Sequence, residues 1–178
     1  MKTRNLPRIL LALPCLLMSG FSLHAESIVW TNTAGDWHRG ENWNLLRPPA
    51  TGDDVVIADG ADILLTNATP LLQSFTQTGG RLTFSNWTTR LQAVTVRLDA
   101  GTLTHTGPSG VDEMSNRVWI ACTDFTLGTN ASISVDARGY KAAQGPGAGG
   151  SSSGGGGGGH GGIGGLPYGK SPLARGAA

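Results

Sequence analysis

Over residues 58–136 short apolar runs alternate with threonine and glycine, and within each run apolar and polar positions take turns. Val94-Thr95-Val96-Arg97-Leu98 shows the pattern. A period of two predicts a β-strand with Val94, Val96 and Leu98 on one face and Thr95 and Arg97 on the other. Such strands are only a few residues long, and turn residues separate them.

The runs also repeat. Gly79-Gly80-Arg81-Leu82-Thr83-Phe84 is echoed 21 positions later by Ala100-Gly101-Thr102-Leu103-Thr104-His105, and Phe75 falls on Val96 at the same offset. A looser copy, Asn130-Ala131-Ser132-Ile133-Ser134-Val135, follows an insertion at residues 107–116. A repeat of this length with short strands predicts stacked coils, a β-solenoid, because one coil cannot bury its own apolar face and must cover it with the next. Leu82 and Leu103 are then inward positions of successive coils, Thr104 points outward, and Gly80 and Gly101 mark a corner that needs positive φ or close backbone approach. An antiparallel sandwich uses the same strand lengths and turn residues and stays open as the alternative.

Composition narrows the classes. Glu and Lys number three each, too few for the exposed faces of a helical bundle. A formal net charge of +1 argues against a nucleic-acid partner. Lys2, Arg4 and Arg8 precede an apolar stretch, Ile9 to Met18, and Ser22-Leu23-His24-Ala25 ends on a small residue, so residues 1–25 read as a secretory signal cleaved after Ala25. That stretch is about half as long as a spanning helix needs, and no later segment is apolar enough to span, so no transmembrane segment is expected after cleavage. Cleavage leaves ten basic against twelve acidic side chains and a single cysteine, Cys122, so no intramolecular disulfide is expected. Cys122 ends the apolar run Val118 to Ala121 and is expected to be a buried, inert thiol.

The segment before the repeats is rich in tryptophan: Trp30, Gly35-Asp36-Trp37, Asn42-Trp43, Pro48-Pro49, then Gly52-Asp53-Asp54-Val55-Val56-Ile57. In this order it resembles the N-terminal region of secreted bacterial surface proteins with parallel β-helix passengers, of the adhesin or autotransporter kind. Residues 139–169, with 16 glycines, look like a Gly-rich insertion of such passengers. The resemblance implies an all-β fold, a right-handed parallel β-helix that begins with a Trp-rich cap. It also implies a surface or extracellular role. The division that follows is a signal at 1–25, a capping segment at 26–57, solenoid coils at 58–138 and a disordered, low-complexity Gly-rich tail at 139–178. Because relatives of this kind continue into further coils, the chain reads as a truncated N-terminal part.

Candidate chemistry is sparse. His38, His105 and His160 have no ligand partner at metal spacing, and Asp53, Asp54, Asp59 and Asp62 form no calcium-loop pattern, so neither metal nor cofactor is expected. Asp53 is expected to cap the turn after Gly52, and Trp37 and Trp43 to plug the end of the solenoid. Trp87, between Asn86 and Thr88 in a loop, is the candidate for stacking on a glycan. No acid–base pair is visible, and the chain is read as non-enzymatic: a secreted or cell-surface structural or adhesin-like protein. The alternatives are the non-catalytic part of a polysaccharide-degrading β-helix enzyme and a carbohydrate-binding module. Partners are expected among extracellular polysaccharides and surface components, with self-association through an open solenoid end.

Overall fold

The computed structural model describes residues 25–110, 114–141 and 144–145. The signal segment as far as His24 and the glycine tract beyond Gly145 lie outside the described residues. Eight strands run in chain order: β1 (Ser27–Val29), β2 (Ala34–Asp36), β3 (Asp54–Ile57), β4 (Asp62–Leu65), β5 (Leu72–Phe84), β6 (Leu91–His105), β7 (Ile120–Ala121) and β8 (Asp124–Ile133). A single 3-10 turn, Gly40–Asn42, lies between β2 and β3, and no α-helix occurs among the described residues.

All named strand pairs are parallel, and together they make one curled, open sheet. One run of pairings is β1-β3-β5-β6-β8, and a second joins β2 to β4 and then to the C-terminal half of β5. Register aligns apolar residues into columns. Ile28, Val55, Phe75 and Val96 form one, and Ile63, Leu82 and Leu103 another, all fully buried. The pairing of Leu82 with Leu103 and of Phe75 with Val96 is the offset of 21 legible in the sequence, and Leu103 with Ile133 carries the looser copy. Each buried side chain in these columns contributes about 1.5–3 kcal/mol by leaving water.

Four expectations are corrected. The strands are not all short: β5 and β6 have 13 and 15 residues and bend through the corner without losing their pairing. Ala93, not Val94, is the inward residue at the start of β6, because the alternation slips between Ala93 and Val96. Thr104 is only 4% exposed; it lines a cleft with Ser134, Asp136 and Arg138, and the chain after β8 shields it. Cys122 is exposed, since it lies between β7 and β8, each of which has a strand partner, β6, on one side only. The desolvation it does feel, and then the Asp124 carboxylate, push its pKa up and favour the thiol over the thiolate.

At the corner Gly80 and Gly101 have φ of 70° and 92°. A Cβ on Gly101 would lie 2.5 Å from the Gly80 carbonyl oxygen, so glycine packs on glycine from strand to strand.

Candidate functional site

Three surfaces have the makings of a site: the tryptophan end, a loop patch around Trp87, and a polar trough on the outer face of the sheet. At the tryptophan end, Trp43 stands edge-on to both Trp30 and Trp37, with ring centroids 5.1 and 4.8 Å apart. Its indole N–H donates to the Trp37 carbonyl at 2.8 Å. Trp37 reaches inward to Phe75 at 6.2 Å, so the cluster is continuous with the columns beneath it. All three tryptophans are at most 4% exposed, which removes their faces from any ligand. The same segment closes the free edge of β1: the Asn44 amide donates to the Val29 carbonyl, the Asn44 side chain accepts from the Val29 amide, and the Thr31 amide donates to the Asn42 carbonyl. These bonds satisfy the Val29 amide and carbonyl on the edge away from β3.

Asp53 sits below this cluster. It accepts from the Ala50 amide at 2.7 Å and from both terminal nitrogens of Arg47 at 2.6 and 3.1 Å. Arg47 also reaches Glu26 at 2.5 Å. Burial is the largest single influence on the Asp53 carboxyl and pushes its pKa up; the Arg47 hydrogen bonds, the Ala50 amide and the Arg47 charge together outweigh it, and the net shift is downward. A lowered folded value means that the stabilisation is complete above the ordinary value near 3.8 and is lost as pH falls through the lower one. Asp53→Asn is therefore expected to cost about 1.5–3 kcal/mol at neutral pH. In urea titrations repeated below pH 4 the gap from wild type should close; a constant gap would mean that the ion pair contributes nothing.

The other aspartates do not gather around it. Asp54 accepts from Ser74, Asp59 from the Gly60 amide, and Asp62 faces Arg81. Among the described residues no three His, Cys, Asp or Glu side chains converge. His105 is buried and bonded through Nδ1 to the Thr106 carbonyl at 2.7 Å.

The structure brings Trp87 together with residues that sequence reasoning left apart. The Arg117 guanidinium lies 4.5 Å from the Trp87 ring centre and 4.0 Å from that of Trp119, and Arg90 stacks on Trp119 at 5.2 Å. The Arg117 Nε–H also donates to the Trp87 carbonyl at 2.8 Å. Trp87 remains 46% exposed, but Arg117 packs against its ring. The sequence signal for this contact is faint, because Arg117 lies 30 residues away across the insertion. Two cation–π contacts contribute about 0.5–1 kcal/mol each at exposed sites, so Arg117→Ala should cost about 1–2 kcal/mol in urea unfolding. Arg117→Lys should recover less than half of that, since a point charge cannot lie flat between two rings. Equal stability of all three proteins would remove the ladder from the account.

The trough runs across β4, β5, β6 and the chain after β8. One cleft of about 240 Å³ is lined by Asp59, Asp62, Arg81 and Thr102 with glycine and alanine between them. A second of about 160 Å³ shares Arg81 and Thr102 and adds Thr104, Ser134, Asp136 and Arg138. Each is smaller than an ordinary small-molecule pocket of about 300–1,000 Å³, so the two form a shallow trough and not a chamber. Its rungs are set by register: Asp62, Arg81, Thr102 and Ser132 lie on adjacent strands, as do Leu64, Thr83 and Thr104. The Thr102 and Ser132 hydroxyls are 3.1 Å apart along this row. Arg81 meets Asp62 only at 3.7 Å and both are more than half exposed, a pairing too weak to hold either from a ligand.

Residues 42–122 match the G8 domain family, an extracellular-type domain. The match starts in the loop that folds over β1 and ends just after β7, and so takes in Trp43, Asp53, the glycine corner and the Trp87 loop. No curated protein and no solved structure matches the chain.

Proposed function

We propose that the chain is a right-handed parallel β-helical module that works outside the cell in a structural or adhesive role. The parallel pairings at a steady offset support stacked coils, and connections between parallel strands of one sheet are right-handed in about 98% of cases. Trp37, Trp43 and Asp53 are then the cap of the helix, and the hydrophobic columns its interior. Placement outside the cell rests on the G8 match at residues 42–122 and on the signal pattern that ends at Ala25. No helix among the described residues is long and apolar enough to cross a membrane.

The observation that carries the role is the layout of the outer face. Its exposed side chains form rows of Asp, Arg, Thr and Ser at fixed strand spacing, a repeated polar surface suited to contact with an extended partner. The test has two readouts. Expression of residues 1–178 in a cell with an intact secretion system should yield a mature chain that begins at Glu26, seen by intact mass. Beads coated with that chain should be retained on cell surfaces or on immobilised extracellular polysaccharide. Full-length chain held in the cytoplasm overturns the extracellular placement, and unretained beads overturn the adhesive role. Release of reducing ends from the polysaccharide would favour a degrading enzyme instead.

A further inference from the structure

We infer that the outer trough is a binding site for an extended neutral glycan laid along the stacking axis, with Arg81, Thr102, Asp136 and Arg138 as its principal contacts. The inference rests on the adhesive reading above and names the ligand class of that surface. Spacing is the first argument. Asp62, Arg81, Thr102 and Ser132 occupy successive strands in register, so their side chains recur at about 4.8 Å along the axis. A second row, Leu64, Thr83 and Thr104, lies two residues further along each strand, about 6.6 Å away. A linear polymer whose rings follow one another at a similar interval meets the same kind of rung at every step.

Chemistry is the second argument. Sugar hydroxyls are both donors and acceptors, and a surface that reads them needs both. The trough supplies guanidinium donors from Arg81 and Arg138, carboxylate acceptors from Asp59, Asp62 and Asp136, and hydroxyls from Thr102 and Ser134. Asp59 already accepts from the Gly60 amide and Thr102 meets the Ser132 hydroxyl, but the two guanidiniums are held only loosely. The Arg81 pair is long, and the Arg138 bond to the Gly107 carbonyl measures 3.4 Å. Leu64, 37% exposed at the edge of the same face, offers an apolar spot for the C–H side of a ring.

Charge decides between glycan classes. With three carboxylates against two guanidiniums the trough gives no positive field, so a polyuronate or sulfated chain is repelled as much as it is held. A peptide is a poorer fit. The strands that carry Asp62, Arg81 and Thr102 pair on both sides, so a peptide strand finds no backbone edge to join beneath these rungs.

The test uses the mature chain and three soluble probes: a linear neutral β-glucan, a neutral galactomannan and polygalacturonate, each in affinity gel electrophoresis. Wild type should be retarded by at least one neutral glycan and not by polygalacturonate. Raising salt from about 0.01 to 1 M should leave that retardation within about twofold. The double variant Arg81→Gln/Asp136→Asn should weaken it about tenfold or more, the loss of one or two hydrogen bonds to charged groups. Trp87→Ala should leave it unchanged, and far-UV circular dichroism checks that each variant is folded. Because the double variant alters only outward side chains, Thr102→Val provides a second, uncharged probe of the same rung and should also weaken retardation. Retardation by polygalacturonate that salt abolishes overturns the inference, and so does undiminished retardation of folded trough variants. If coated beads adhere to cells while no neutral glycan retards the chain, the trough assignment fails and the adhesive role stands; if the beads also fail, the role falls separately.

Discussion

Replacing Trp43 with alanine is expected to destabilise the chain by about 3–5 kcal/mol, the range for removing a fully buried tryptophan. Trp43 is 1% exposed and contributes three things at once. Its ring fills the angle between Trp30 and Trp37, its N–H satisfies the Trp37 carbonyl, and its backbone bridges to Trp30 in the only antiparallel bridge among the described residues. Without the ring, the column of Ile28, Val55, Phe75 and Val96 borders a cavity, and the loop that covers the edge of β1 loses its anchor. Trp43→Phe keeps a ring but not the N–H, and should cost about half as much, because the Trp37 carbonyl is left without its donor. Urea unfolding followed by circular dichroism gives both values. If the alanine variant lost less than about 1 kcal/mol, the tryptophans would be ornaments on a stack that is stable without a cap.

Much of this architecture can be read from the sequence because a parallel stack converts register into repetition. Leu82 over Leu103 and Gly80 over Gly101 sit at equal places on paired parallel strands, and equal places select similar residues. What escapes is whatever depends on one strand being unlike its neighbours. Thr104 matches Thr83 in sequence, yet only Thr104 is covered by the chain after β8. Val94 belongs to a perfect alternation, yet the slip at the start of β6 turns Ala93 inward in its place. Arg117 is the clearest case. A guanidinium between two indoles is made by an insertion that breaks the repeat, and no period points to it. The trough was equally hidden: Arg81, Thr102 and Asp136 are ordinary outward residues one at a time and become a surface only when the strands are laid side by side.

The two ends of the stack differ, and the difference predicts self-association. β8 pairs with β6 and with no other strand, so one edge of its backbone has no strand partner among the described residues. Its side chains stand at the ends of the buried columns: Phe125 follows Val96, Leu127 follows Leu98 and Ile133 follows Leu103. The residues beneath are at most 1% exposed, whereas these three and Val135 are 42–50% exposed. Edges are usually protected by charge or proline, yet β8 carries one charged residue, Asp124, and no proline. A second copy of the chain is the occupant with matching properties, because a neutral edge pairs with itself at no electrostatic cost and a coil of this size presents about the 20–30 residues of a standard interface. The mature chain is accordingly expected to sediment as a concentration-dependent dimer or larger species. Leu127→Lys with Ile133→Lys should return it to a monomer with an unchanged circular dichroism spectrum, since both side chains already lie half in water. A wild-type chain that stays monomeric at concentrations well above 10 µM would show that this edge is covered within the chain itself, and a lysine variant that still assembles would move the interface elsewhere.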